Sequence, residues 1–152
     1  MECRATLPHM ATESSASTIW RGSLTKGSGT THPESGAFPD VDVTWASRTT
    51  RSAGKTSPEE LLAAAHASCY SMALSNELSQ AGNEPEQLNT TATVDFVPGE
   101  GVKSSRIVVN GRVPGIDQSQ FEDAANSAGE NCPISAALKG NIDITVDATL
   151  ET

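Results

Sequence analysis

Aromatic side chains are scarce in this chain: two tryptophans, one tyrosine and three phenylalanines among 152 residues. Hydrophobic residues reach only 36%, so a core has to be assembled mainly from Ala, Val, Ile and Leu. A chain of this kind gains further buried surface by associating with a second copy. Long apolar runs are missing too. Nothing approaches the roughly 20 consecutive apolar residues that span a bilayer, and the N-terminus lacks the apolar core of a signal peptide. Basic residues are outnumbered: 10 Lys and Arg against 19 Asp and Glu give a formal net charge of −9. That balance argues against a nucleic acid or an anionic membrane as partner, since both demand a basic face. The expectation is a soluble cytoplasmic protein.

Cysteine is sparse and odd in number: Cys3, Cys69 and Cys132. Such a set does not make the disulfide framework of a small secreted domain. The familiar signatures are also absent. There is no GxSxG elbow for a serine hydrolase, no phosphate-binding glycine loop, and no CxxC or HxxxH pair to begin a zinc site.

What is present centres on residues 56–74, which read as a long helix. Ser57 is a suitable N-cap, Pro58 fits the first helical position, and Glu60 stands three residues after the cap as in a capping box. Gly82 supplies a stop. Before this helix, residues 1–17 read as a flexible N-terminal extension and residues 18–152 as one domain. Strands are expected at 18–24, more weakly at 29–33, and at 41–45, where Val41, Val43 and Trp45 alternate with polar residues. A loop over 46–55 carries Arg48 and Arg51. After the helix, residues 88–97 and 102–113 flank a Pro98–Gly99 turn and form a hairpin. Asp117 caps a second helix through Phe121, Ala125 and Ala128, a short helical turn follows Cys132, and residues 142–150 alternate as a last strand. Helices and strands do not alternate strictly, so the fold class is α+β with mainly antiparallel sheet.

Cys69, in the middle of the long helix, is the sharpest chemical candidate. A lone helical cysteine most often behaves as a small buried hydrophobe. Its neighbours favour chemistry. Cys132 precedes Pro133 at a helix start, where the dipole favours thiolate, and a guanidinium from Arg48 or Arg51 lowers the pKa of a nearby thiol. Glu59 is suited to hold such an arginine by a two-pronged contact. Taken singly, each has a plainer role: Glu59 as a first-turn acid, Arg48 as a solvated loop residue, Cys132 as a small residue at a helix entrance. His66 lies three residues before Cys69 on the same face, which permits a metal pair with Cys132 as third ligand. His66 and His32 are also the only sensible bases for a cysteine hydrolase, and neither has a recognisable signature.

The run Thr56-Ser57-Pro58-Glu59-Glu60-Leu61-Leu62-Ala63-Ala64-Ala65-His66-Ala67-Ser68-Cys69-Tyr70-Ser71-Met72-Ala73-Leu74 resembles the first-cysteine signature of the OsmC/Ohr family of thiol peroxidases. Asn131-Cys132-Pro133-Ile134-Ser135 followed by Leu138 resembles its second. Trp20-Arg21-Gly22 and Ser47-Arg48 match in order, and the sequence around Cys69 is nearer the OsmC branch. The resemblance implies reduction of peroxides, chiefly organic hydroperoxides and less efficiently hydrogen peroxide, in oxidative or osmotic stress defence. It makes Cys69 the peroxidatic thiolate, Cys132 the resolving thiol, Arg48 the activating guanidinium and Glu59 its carboxylate partner. It also implies an intertwined homodimer without metal, haem or other cofactor. The reductant would be a dithiol, a lipoylated protein or dihydrolipoamide. The loop between Arg48 and Glu59 is one residue longer than the common pattern, so Arg51 competes for the activating role; the Ser-Arg context after Trp45 favours Arg48. A redox sensor or a metal-binding module built on the same cysteines remains the alternative.

Helical geometry adds one expectation. Ten residues at 1.5 Å rise separate Glu59 from Cys69 by roughly 15 Å along the axis. Two such helices packed antiparallel about a two-fold axis would bring Glu59 and Arg48 of one chain to Cys69 of the other.

Overall fold

The computed structural model describes residues 11–51 and 53–152. Three strands, β1 (Ala16–Arg21), β2 (Ser28–Pro33) and β3 (Val41–Val43), form an antiparallel sheet in that order. A short helix α1 (Trp45–Thr49) leads to the long helix α2 (Pro58–Gln80). The chain then forms a hairpin, β4 (Gln87–Val97) and β5 (Gly101–Arg112), crosses over through α3 (Gln118–Asn131) and α4 (Pro133–Leu138), and ends in β6 (Asp143–Leu150). β6 pairs parallel with β5, because the two-helix crossover returns the chain to the end at which β5 began. The α+β class and antiparallel bias therefore hold, with this one parallel pairing in a mixed second sheet.

The start of α2 follows its sequence. The Ser57 hydroxyl accepts from the Glu60 amide at 3.1 Å, while the Glu60 carboxylate accepts from Thr56 Oγ1 at 2.7 Å rather than closing the box. At the other end Gly82 has φ +84°, and the amides of Gly82 and Asn83 reach the carbonyls of Ser79 and Leu78. This is the left-handed stop that glycine makes cheap. Asp117 caps α3 with a complete capping box through Gln120.

The core lies between the second sheet and α2 and α3. Tyr70, Leu74 and Leu78 of α2 meet Ile107 and Val109 of β5 and Phe121, Ala125 and Ala128 of α3, all with at most 2% exposure. Gly111 lets this layer close: a Cβ there would stand 2.5 Å from Phe121 Cζ. Tyr70 spends its hydroxyl inside, donating to the Ala125 carbonyl at 2.8 Å.

The first sheet contributes nothing to that core. Every residue of β1 is exposed, and Ile19 (59%), Leu24 (58%) and Phe38 (44%) present apolar surface. Two boundaries differ from expectation. Ala16 and Ser17 belong to β1, paired with Pro33 and His32, rather than to an extension. Trp45 opens α1 instead of closing a strand, because Thr44 and Ser47 form a capping box that the 41–45 alternation hides. Residues 1–10, Cys3 included, lie outside the described residues.

Candidate active site

α1 is a single turn, and its placement depends on Ser47. The Ser47 hydroxyl accepts from the Thr44 amide at 2.9 Å and also lies 2.8 Å from the Thr56 carbonyl, which ties α1 to the approach of α2. Arg48 is thereby set over the first turn of α2. Its Nε and Nη2 both donate to Glu59 Oε1 at 2.8 Å. The fork thus closes on one oxygen. The other, Oε2, is buried with no hydrogen-bond partner among the described residues. The guanidinium lies 4.0 Å from the Phe96 ring centroid and 5.9 Å from that of Trp45, a favourable placement for a cation on an aromatic face. A cavity opens here, lined by Arg48, Glu59, Ala63, Thr91 and Phe96. Arg51, at φ +54°, lines the same cavity.

The two thiols meet elsewhere. Cys69 sits mid-way along α2, half-buried, and Cys132 is fully buried in the extended link that ends α3 and starts α4. Cys69 packs against the core cluster that contains Cys132, and the two thiols stand close enough that each alters the other's acidity. Burial raises the Cys69 thiol above its ordinary pKa; the Ile134 amide works against this, and the Cys132 sulfur adds to it. Burial also pushes Cys132 up, but the amide and hydroxyl of Ser135, Cys69 itself and the Ile134 amide together outweigh it. The Cys132 thiol is therefore held below its ordinary value.

His66 is completely buried one turn before Cys69. Its Nδ1 lies 2.7 Å from Ser105 Oγ of β5 and its Nε2 lies 2.7 Å from Ser135 Oγ of α4. Both ring nitrogens are thus committed to hydroxyls, which leaves neither for a metal shared with Cys69 and Cys132. Burial lowers the His66 pKa, so the ring is neutral. His32 lies far along the chain on the first sheet, its Nδ1 2.6 Å from Asp40 Oδ1. Among the described residues no cluster of three or more His, Cys, Asp or Glu side chains is arranged to hold a metal ion.

The candidate residues thus form two groups on one helix. Cys69 and Cys132 are neighbours, and Arg48 and Glu59 are ion-paired. The cavity around Arg48 extends along α2 to Ala63 but does not include Cys69, and among the described residues no guanidinium acts on either thiol within the chain. A thiol pair in contact, one of them reachable from outside, supports oxidation to a disulfide; the arginine–carboxylate pair supports binding of a polar or developing negative group.

Three residues of these groups escape sequence reasoning. Ser135 was visible as the polar residue three positions into the turn after Cys132. Ser105 carries a weaker signal, a hydroxyl on the inward face of a strand that continues Ile107, Val109, Gly111. Phe96 carried none beyond its place in the alternation of β4.

Residues 51–147 match the model of the family described as OsmC-like protein. Peroxiredoxin OsmC of Escherichia coli (strain K12) is 38% identical over 136 residues, spanning 88% of this chain and 93% of that protein. The organic hydroperoxide resistance protein of Xanthomonas axonopodis pv. citri (strain 306) is 32% identical over 98 residues, 60% of this chain and 65% of that one. Among solved structures, the organic hydroperoxide resistance protein OhrB of Bacillus subtilis superimposes with a TM-score of 0.65 at 25% identity, covering 89% of this chain and 98% of its own.

Proposed function

The chain belongs to the OsmC-like family, and on that footing we propose that it is a thiol peroxidase reducing organic hydroperoxides through Cys69 and Cys132. One observation carries the assignment: two cysteines 63 positions apart in sequence, one half-buried and one fully buried, stand close enough that each alters the other's acidity. The Cys69 thiolate attacks the outer peroxide oxygen, the O–O bond breaks, an alkoxide leaves and takes a proton, and Cys69 becomes a sulfenic acid. Cys132 attacks that sulfur, water is released, and a disulfide forms before over-oxidation. An external dithiol of dihydrolipoamide type, free or protein-bound, exchanges with the disulfide and restores both thiols. Beside Cys69, the alanine-rich face of α2 and Met72, 72% exposed, offer apolar surface to the alkyl group of a hydroperoxide.

Within one chain the acidities run against these roles, since Cys69 is raised and Cys132 lowered. The missing influence is a cation. The reading is therefore that the working unit is a homodimer in which Arg48 and Glu59 of one chain serve Cys69 of the other. Support comes from the roughly 15 Å axial gap and from the uncovered first sheet. Arg48 would then lower the Cys69 pKa and stabilise charge on the departing oxygen.

A turnover assay with cumene hydroperoxide and dihydrolipoamide tests the chemistry on wild type, Cys69→Ser and Cys132→Ser. Loss of consumption in Cys69→Ser, and early inactivation of Cys132→Ser with sulfinic acid on Cys69, are expected. Peroxide consumption by Cys69→Ser at the wild-type rate would overturn the nucleophile. Mixed dimers of Cys69→Ser and Arg48→Ala chains regain one intact site if Arg48 acts across the dimer, and none if it acts within a chain.

A further inference from the structure

We propose that Asn131, through its hydrogen bond to Glu77, is a positioning residue that holds Cys132 against Cys69 for disulfide closure. This role deepens the thiol-peroxidase reading and rests on it for its biological use.

Cys132 is a one-residue joint. It ends α3 as its C-cap and starts α4 as its N-cap, with extended backbone at φ −63° and ψ 121°. Helical hydrogen bonding reaches the joint from both sides: the Cys132 amide donates to the Ala128 carbonyl at 2.8 Å, and its carbonyl accepts from the Ala136 amide at 2.9 Å. The ends of α3 and α4 therefore aim the Cys132 sulfur, whereas Cys69 belongs to α2. Among the described residues, three side-chain bonds tie α3 and α4 to α2. Tyr70 donates to the carbonyl of Ala125, two turns before the joint, and His66 meets Ser135, beyond Pro133 on the far side. The third is at the joint itself. Asn131, the residue before Cys132, donates from Nδ2 to Glu77 Oε1 at 2.7 Å. Its other amide hydrogen faces Ser127 Oγ at 3.4 Å. A carboxylate has no hydrogen to give, so the amide nitrogen must be the atom that faces Glu77.

Glu77 stands where a carboxylate does not help its own helix. It lies in the last turn of α2, which carries no basic residue, and a negative charge there opposes the helix dipole. Its bond to Asn131 is the compensating contact. Replacing Glu77 by alanine removes an unfavourable charge together with that bond, so the two effects on stability offset each other. The effect on the joint has no such offset.

The step this serves is closure. The Cys132 sulfur attacks the Cys69 sulfenic sulfur, the S–S bond forms and the S–O bond breaks. The Cys132 sulfur is oxidised, the Cys69 sulfur is reduced, and the thiol proton and departing hydroxide leave as water. Such an attack is fast only while the reacting atoms are held close and in line. A slower closure leaves the sulfenic acid to a second hydroperoxide, which oxidises it to sulfinic acid.

The test compares full-length chains carrying Cys3→Ser, so that two thiols remain, with and without Asn131→Ala, Glu77→Ala and Glu77→Gln. In one assay cumene hydroperoxide is varied, and mass spectrometry of quenched samples counts disulfide against sulfinic acid at Cys69. Asn131→Ala and Glu77→Ala are expected to lower the hydroperoxide concentration giving half sulfinic acid by about three- to ten-fold, with the initial oxidation of Cys69 unchanged. In a second assay oxidised glutathione forms a mixed disulfide on Cys69, and Cys132 then displaces glutathione as its thiolate. That displacement slows by the same factor and needs no peroxide. Glu77→Gln, whose amide oxygen still accepts from Asn131, stays near wild type in both assays. The Asn131→Ala/Glu77→Ala double variant is no slower than either single variant, since each removes the same bond. The urea midpoint of Glu77→Ala stays close to that of wild type. Unchanged closure in folded Asn131→Ala or Glu77→Ala overturns the proposal, as do losses that add in the double variant or that follow the urea midpoint across the set. If one single variant does not fold, the other decides. Failure of the wild type to consume hydroperoxide, with glutathione displacement still slowed in the variants, would instead overturn the peroxidase reading and leave the positioning role standing.

Discussion

Replacing Arg48 by alanine isolates the arginine–carboxylate pair. The substitution removes two charge-assisted hydrogen bonds at 2.8 Å and the contact with the Phe96 ring at 4.0 Å. It leaves a Glu59 side chain that is only 7% exposed with both carboxylate oxygens lacking a partner. Breaking a fully buried ion pair by deleting one member costs about 3–5 kcal/mol. The Arg48 end is 31% exposed, so water can enter the space it vacates and the expected loss falls to about 2–3 kcal/mol. For a chain of this length that lowers Tm by roughly 5–10 °C. Adding Glu59→Gln neutralises the stranded charge, so the double variant is expected to recover about 1 kcal/mol or more. Urea and thermal unfolding at one fixed protein concentration measure this, since self-association makes Tm concentration-dependent. Arg48→Ala within about 0.5 kcal/mol of wild type, or additive losses in the double variant, would refute the reasoning.

Three further outcomes follow from the packing and protonation of the chain. Gly111→Ala drives a methyl to 2.5 Å from the Phe121 ring and is expected to destabilise by about 1–3 kcal/mol, read as a lower urea midpoint with unchanged slope. Tyr70→Phe removes the 2.8 Å bond to the Ala125 carbonyl at the centre of the core, costing about 1 kcal/mol in the same assay. His66 gives stability a pH dependence of defined sign. Its folded pKa lies below the ordinary 6.5 because burial disfavours the cation, so between those values the unfolded chain binds a proton that the native chain does not. Stability is complete above about pH 6.5 and falls as acid is added through that window, by up to about 1.4 kcal/mol per pH unit. His66→Gln flattens this slope. Exposed His32 acts with the opposite sign, since its hydrogen bond to Asp40 raises its pKa; its small contribution is present at low pH, fades as pH rises through the raised value, and is removed by Asp40→Asn.

Much of the fold and the identity of the thiols are legible in the residues themselves. Ser57-Pro58 at one end of α2 and Gly82 at the other, the Asp117 cap, and the alternations of β4, β5 and β6 act over a few neighbouring positions. Local sterics and hydrogen bonding suffice to specify them. Cys69 and Cys132 are likewise readable because thiol chemistry depends on residue type, and the surrounding run is distinctive. The one-turn helix α1 was missed although its Thr44–Ser47 box is local, because the Val41–Trp45 alternation imitates a strand. Everything that depends on pairing between distant segments waited for the tertiary structure. His66 meets hydroxyls 39 and 69 positions away, and those serines come together only once β5 and α4 have packed around the His66 ring. The relative acidity of the two thiols is decided the same way: burial acts on both, but only Cys132 has Ser135 beside it. Sequence determined which groups can react; packing decided which hydrogen bonds each receives, because burial, distance and donor direction are properties of the assembled layers.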